Sequence, residues 1–269
     1  MTSFDASVLI YGESGTGKEL VAGAIHNLGK RKDQFFLPVN CGGIPDNLIE
    51  GKFFGYKKGA FTGANIDKSG FLEVADKGSL FLNEIGEINL NMQAKLLRAI
   101  DGDGHIPLGS SMPVKTDVRI IAVTNKNLEV LVKNGLMGSA FFYRINVIPI
   151  YLPPLRKRKE DISLLIYHFL KKFSSGKTFP HIPSQIMTAL ENHDWPGNVR
   201  ELQNIIHRYV ALNRLDVFGS LATASDGKET ISEEEPGPDD EVLDLQDAIQ
   251  NYEKKVITTC LKKKSVEAR

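Results

Sequence analysis

At 269 residues, 42% of them hydrophobic and 25% charged, the chain is long enough for one sizeable α/β core with a smaller domain beside it, and its composition excludes the disordered and fibrous classes. Lysine and arginine together number 33, as do aspartate and glutamate, so the formal charge is zero and no global basic field points to nucleic acid or an acidic membrane surface. The two cysteines, Cys41 and Cys260, are far apart and have no histidine or cysteine neighbours at ligand spacing, which argues against a disulfide framework and a zinc site. No apolar run approaches the roughly 18 residues of a membrane span, and the N-terminus lacks the pattern of a secretion signal. The expectation is a cytoplasmic protein with no membrane partner.

In chain order, Ser7–Tyr11 is a short β-rich apolar run, followed by a glycine-rich loop and a helical stretch over Glu19–Asn27. Similar runs recur at Phe36–Val39, Leu80–Leu82, Val118–Val123 and Val147–Tyr151, with helical periodicity between them, as at Met92–Ile100. Alternation of this kind predicts a mostly parallel sheet covered by helices on both faces. After Pro153 and Pro154 the strand signals cease, and helices are expected over Glu160–Phe173, Ser184–Asn192 and Val199–Asn213. Residues 220–241 are rich in glycine, serine, proline and acid and read as a linker. Beyond them Val242, Leu245, Ile249, Tyr252, Val256 and Cys260 form one apolar helical face. The domains expected are thus an α/β nucleotide-binding unit over 1–152, a helical lid over 153–219, a flexible acidic linker over 220–241 and a terminal helix in 242–269.

The loop after the first strand reads Gly12, Glu13, Ser14, Gly15, Thr16, Gly17, Lys18. Strand, glycine-rich loop and helix in that order form a phosphate-binding context. Glycines let backbone N–H groups approach phosphate oxygens, the helix N-terminus adds partial positive charge, and Lys18 can reach the β- and γ-phosphates of a nucleotide. The bland alternative is a glycine-rich connector. Glu19 stands where the general motif places a serine or threonine that helps hold Mg²⁺. A second candidate is the run ending in Asn83 and Glu84, because buried strands of α/β folds deliver polar residues at their carboxyl ends. Its alternative is that these two residues merely cap the next helix.

The loop with its Glu19 resembles the form found in sigma-54-dependent transcriptional activators, whose central domain is an AAA+ ATPase. Gly59, Ala60, Phe61, Thr62, Gly63 and Ala64 match the hexapeptide by which that family grips the sigma factor. From the residues alone this is a small-residue loop tipped by one aromatic, able to anchor in a partner's pocket, or else a buried turn. The resemblance runs from about Ser7 to Leu215 and includes Leu152–Arg156 and Trp195–Leu202.

It implies an AAA+ P-loop fold with a helical lid, ATP and Mg²⁺ as cofactors, a homo-oligomeric ring, and sigma-54 RNA polymerase as partner. By the same resemblance Glu84 polarises the attacking water, and Asn40 restrains Glu84 until the sigma factor is engaged. Thr124 and Asn125 would form a first sensor of the γ-phosphate, and Arg200 a second; a solvated or carboxylate-paired helix residue is the alternative for Arg200. Position 83 carries an aspartate for Mg²⁺ in the family, so Asn83 retains the shape without the charge and contacts the ion only indirectly. Of the family's two trans-acting arginines, Arg144 remains and Gly138 stands in place of the other.

The basic run Arg156–Lys159, followed by Glu160 and Asp161, reads as a solvated helix start rather than a nucleic-acid patch. The six histidines read as surface or packing residues. The segment walling the adenine pocket in the family is not seen ahead of the first strand, and Asp244–Lys264 resembles the first helix of a DNA-binding domain that the chain does not complete. DNA binding is therefore expected only through a domain missing or truncated here. Two functions follow: a ring-forming ATPase that activates transcription, or a nucleotide-binding, hydrolysis-impaired module that engages sigma-54 or mixed rings.

Overall fold

The computed structural model describes residues 5–174 and 182–212, all within one unit that runs to Asp226. The expected linker, the terminal helix, Cys260 and His181 lie outside the described residues. Five strands form one parallel sheet: β1 (Val8–Tyr11), β2 (Phe36–Asn40), β3 (Ser79–Asn83), β4 (Arg119–Thr124) and β5 (Ile148–Tyr151), in the order β2-β3-β4-β1-β5. The three inner strands are buried almost throughout, which explains their unbroken apolar sequences. Pro38 and Pro149 interrupt β2 and β5, the two edge strands, where a missing N–H costs no ladder bond on the outer side.

Helices α1 (Lys18–Asn27), α2 (Asp46–Phe54), α3 (Phe71–Val74), α4 (Leu90–Ile100), α5 (Leu128–Lys133) and α6 (Ser139–Ile145) cover the sheet. One core cluster unites Leu9, Val39, Leu80, Leu82, Ile120 and Ala122 with Phe53, Leu96 and Phe141, and a second joins Val8, Ile10, Phe81, Ile121 and Val123 to Ala22 of α1. Side chains on both faces of the sheet are therefore packed, as alternating strand residues require. Asn89 and Asn127 start α4 and α5 by accepting from the backbone N–H groups of Met92 and Val130.

Past β5 come α7 (Glu160–Phe173), α8 (Ser184–Asn192) and α9 (Asn198–Leu212), which enclose a core of their own around Leu155, Ile166, Leu190, Trp195, Leu202 and Ile206. Trp195 is fully buried, and its indole N–H donates to the carbonyl of Leu190 at 2.9 Å. The fold is α/β, with the parallel sheet placing its carboxyl edges toward α9.

Candidate nucleotide site

β1 ends at Tyr11, and the chain passes through Gly12–Gly17 directly into α1. Gly15 and Gly17 hold φ of 78° and 97°, where an L side chain is strained. Gly15 is also needed for contact, since a Cβ there would overlap the carbonyl oxygen of Gly197, just before α9. Lys18 turns back on its own loop, donating to the carbonyls of Gly12 and Glu13, both at 2.8 Å. Burial holds its pKa below the ordinary lysine value, Arg200 adds to that, and Glu84 opposes it. Buried Thr16 donates to the Glu13 carbonyl at 2.9 Å, so its hydroxyl shapes the loop.

The neighbouring strand ends supply a second wall. Parallel register sets Asn40 beside Asn83, and Asn83 beside Val123, one residue before Thr124. Glu84 follows with φ 59° and ψ 46°, makes no capping bond to the turn after it, and therefore does not act as a helix cap. A Cβ on Gly42 would overlap the Glu84 carboxylate, so that glycine leaves the space it occupies. Thr124 is buried, accepts from the Lys126 N–H at 3.0 Å through its hydroxyl, and accepts from the Gly12 N–H at 3.2 Å through its carbonyl. Among the described residues, the side chains of Asn40, Asn83 and Glu84 have no hydrogen-bond partner.

The lid supplies the third wall. Arg200 on α9 is exposed and donates to the Ser14 hydroxyl at 3.1 Å, with no carboxylate partner among the described residues. Arg156 donates to both Glu13 oxygens at 2.8 and 2.5 Å, and Arg158 donates to the Thr16 carbonyl at 2.8 Å. This corrects the solvated-helix reading of the basic run: two of its four residues are held by the phosphate loop. Arg156, then Asn198, hold the Glu13 carboxyl down at about 2.

These walls enclose a cavity of about 370 Å³. Its lining brings together Ser14, Gly15, Gly17, Lys18, Glu19, Asn40, Asn83, Glu84, Thr124, Asn125 and Arg200 from the sequence-predicted set. Gly12, Glu13 and Thr16 belong to the loop without lining it. Leu20, Val123, Val199 and Gln203 also line the cavity and carried no signal beyond their helical or strand periodicity.

Arg144 does not reach the cavity of its own chain. On α6 it pairs with Asp101 at 2.7 Å and donates to the Ile100 carbonyl at 2.9 Å. Gly138, at the start of α6, has φ −70°, and a Cβ there would meet nothing nearer than the Gln93 Oε1 at 3.8 Å, so a side chain fits. Gln93 itself was not anticipated: this buried amide donates to the Ile88 carbonyl at 2.7 Å and accepts from the Gly138 N–H at 2.8 Å.

The Gly59–Ala64 loop stands apart from the cavity. Gly59 donates to the Ala64 carbonyl at 2.8 Å, closing a tight loop in which Ala64 is buried and Phe61 is 47% exposed. It is therefore not a buried turn. Phe61 rests edge-on against Tyr56, with ring centroids 5.0 Å apart. Of the histidines, His26 and His105 are buried, the former 3.0 Å from the Ser79 hydroxyl, and among the described residues no metal-binding cluster occurs.

Comparison with known proteins decides the family. Residues 1–151 match the model of the sigma-54 interaction domain, and residues 156–240 match the AAA+ ATPase lid domain. The chain belongs to the sigma-54-dependent transcriptional activators. It is 50% identical over 210 residues to the regulatory protein AtoC of Escherichia coli (strain K12), covering 77% of this chain and 46% of AtoC. With the DNA-binding transcriptional regulator NtrC of Azospirillum brasilense it shares 43% identity over 249 residues, 92% of this chain and 52% of NtrC. It thus spans about half the length of these relatives. The crystal structure of NtrX from Brucella abortus in complex with ATP superimposes with a TM-score of 0.75 at 33% identity, covering 94% of this chain and 57% of NtrX. The fold is that of an AAA+ P-loop NTPase. No helix among the described residues is long and apolar enough to cross a membrane.

Proposed function

We propose that this chain binds ATP in the cavity at the carboxyl edge of its sheet, assembles with like subunits into a ring, and uses hydrolysis to remodel sigma-54 RNA polymerase. The observation that carries this reading is the meeting of five separate segments, the phosphate loop, the ends of β2, β3 and β4, and α9, around one cavity. A cation, strand-end polar groups and a lid arginine converging in this way are the parts phosphoryl transfer needs.

Lys18 releases its loop carbonyls to meet the phosphates. Glu84, unpaired and beside Asn40, is placed to orient a water and take its proton. Thr124 and Asn125 sense the γ-phosphate, Arg200 carries the nucleotide state to the lid, and Arg144 serves the neighbouring subunit's site. The oxygen donors of Glu19, Glu84 and the Asn83 amide lining the cavity suit Mg²⁺, an ion that keeps several waters and binds chiefly through phosphates. When bound, it neutralises charge on the phosphates. Phe61, half exposed on a glycine-flanked loop, is the anchor offered to sigma-54.

The second reading, a nucleotide-binding module with slow turnover, draws on Asn83 and Gly138. The two are separated by what the chain does with ATP, whereas the partner is tested directly. With a slowly hydrolysed ATP analogue, the chain should co-elute with sigma-54, and Phe61→Ala should weaken that complex by roughly 30-fold, as loss of an aromatic anchor does. Equal sigma-54 binding by Phe61→Ala, or none by the unaltered chain, would refute the partner assignment.

A further inference from the structure

Asn198 is fully buried at the head of α9 with φ 55°, a left-handed conformation that asparagine and aspartate tolerate better than most residues. Its amide faces two ways. The oxygen accepts from the Leu155 N–H at 2.8 Å, on the segment that leads from β5 into the lid. The nitrogen donates to the Glu13 carboxylate at 3.2 Å and to the Ser14 carbonyl at 3.0 Å, on the phosphate loop. Arg156, one residue past Leu155, closes the ring of contacts by binding both Glu13 oxygens. One side chain thus joins the start of the lid, its last described helix and the phosphate loop.

Two residues further along the same helix stands Arg200, on the Ser14 hydroxyl and lining the cavity. Just ahead of Asn198, the Gly197 carbonyl lies so close to Gly15 that any Cβ on Gly15 would collide with it. The distance of Arg200 from the phosphates is therefore set by how α9 is seated on Gly15 and Ser14, and that seating is held by the polar contacts of Asn198, whose side chain is buried while its partner Glu13 stays partly exposed. Charge-assisted hydrogen bonds of this kind are stronger than neutral ones.

We infer that Asn198 and Glu13 are positioning residues that seat the lid on the phosphate loop and so align Arg200 with bound nucleotide; this rests on the ATP-binding reading above. Neither touches the reacting atoms. Without the seat, α9 must be ordered by the nucleotide itself, and that ordering is subtracted from affinity.

The test uses the full chain and a fluorescent ATP analogue, titrated at neutral pH, with thermal unfolding recorded alongside. Asn198→Asp keeps the acceptor for Leu155 and suits the left-handed backbone, but it removes the donor and sets a second carboxylate against Glu13. It should weaken analogue binding by about tenfold. Adding Glu13→Gln to Asn198→Asp supplies an N–H for the new carboxylate and should recover most of the loss, a rescue that a general destabilisation would not show. Glu13→Gln alone, which keeps the Asn198 amide, should bind better than Asn198→Asp and covers the case in which the latter fails to fold. Binding by Asn198→Asp as tight as the unaltered chain, or a double variant no better than the single, would overturn the inference. Failure of the unaltered chain to bind the analogue would overturn the nucleotide reading, and this one with it.

Discussion

Of the cavity's three walls, the phosphate loop and the strand ends are built in opposite ways. On the phosphate-loop side nearly every polar group is committed: Lys18 to loop carbonyls, Thr16 to Glu13, Glu13 to Arg156 and Asn198, and Ser14 to Arg200. On the strand-end side Asn40, Asn83 and Glu84 have no partner among the described residues, although Asn40 and Asn83 face each other in register. The committed wall gives the site its shape, and the uncommitted wall is where groups remain available to a ligand and a water. Asn40 and Glu84 are exposed, so water can serve these groups until a ligand replaces it.

The contrast can be sharpened by adding charge to the free wall and, outside the cavity, to the start of α6. Asn83→Asp restores a carboxylate for Mg²⁺, and Gly138→Arg restores a second trans-acting arginine at a position with room for it. Together they should raise ATP turnover by about 10³, the scale on which one such arginine acts in phosphoryl transfer. No gain in steady-state hydrolysis would remove the explanation offered for these two positions.

Altering the support behind the committed wall should instead affect stability. Trp195→Ala empties the centre of the lid core and is expected to cost about 3–5 kcal/mol in denaturant unfolding, while the sheet core, which shares no buried residue with it, keeps its packing. Removal of the charge at the junction of the walls, Lys18→Ala, should weaken ATP-analogue binding by about 100-fold with little change in stability, because the side chain bonds only to its own loop. A loss confined to stability would show that the loop is structural rather than phosphate-binding.

The smallest effect concerns Glu13. Its carboxyl is held down at about 2 in the folded chain, by Arg156 before Asn198, against an ordinary value of 4.5. A depressed carboxylate contributes fully above its unfolded pKa, and that contribution is lost as pH falls from about 4.5 toward 2. The pair is half exposed, so the effect is modest. Unfolding measured across that window should show a shallower loss of stability for Glu13→Gln than for the unaltered chain, and parallel curves would show that the Glu13–Arg156 pair adds no ionic stability.

The five strands and the phosphate loop were legible in the sequence because each is a local pattern: an unbroken apolar run, or glycines at fixed spacing after one. Helices α2, α3, α5 and α6 were not anticipated, since they are short and their burial is decided by the sheet they cover. The sheet order was equally hidden, as no residue of β1 declares that its neighbours are β4 and β5. In the site, Asn83 and Glu84 could be picked out from their place at a strand end, whereas Thr124 and Asn125 came only from the family resemblance. The contacts of Asn198 could not be picked out, because its partners Glu13 and Ser14 are about 185 residues away. Arg156 was misread for the same reason: a basic run beside acids looks solvated until the loop it grips is brought against it.

The most direct test of the central claim is steady-state ATP hydrolysis with Mg²⁺, measured over protein concentrations that span assembly, with sigma-54 present and absent. A motor whose Arg144 completes the neighbouring subunit's site predicts turnover per subunit that rises with concentration. ATP bound without turnover at every concentration would contradict that motor and leave the hydrolysis-impaired module in its place.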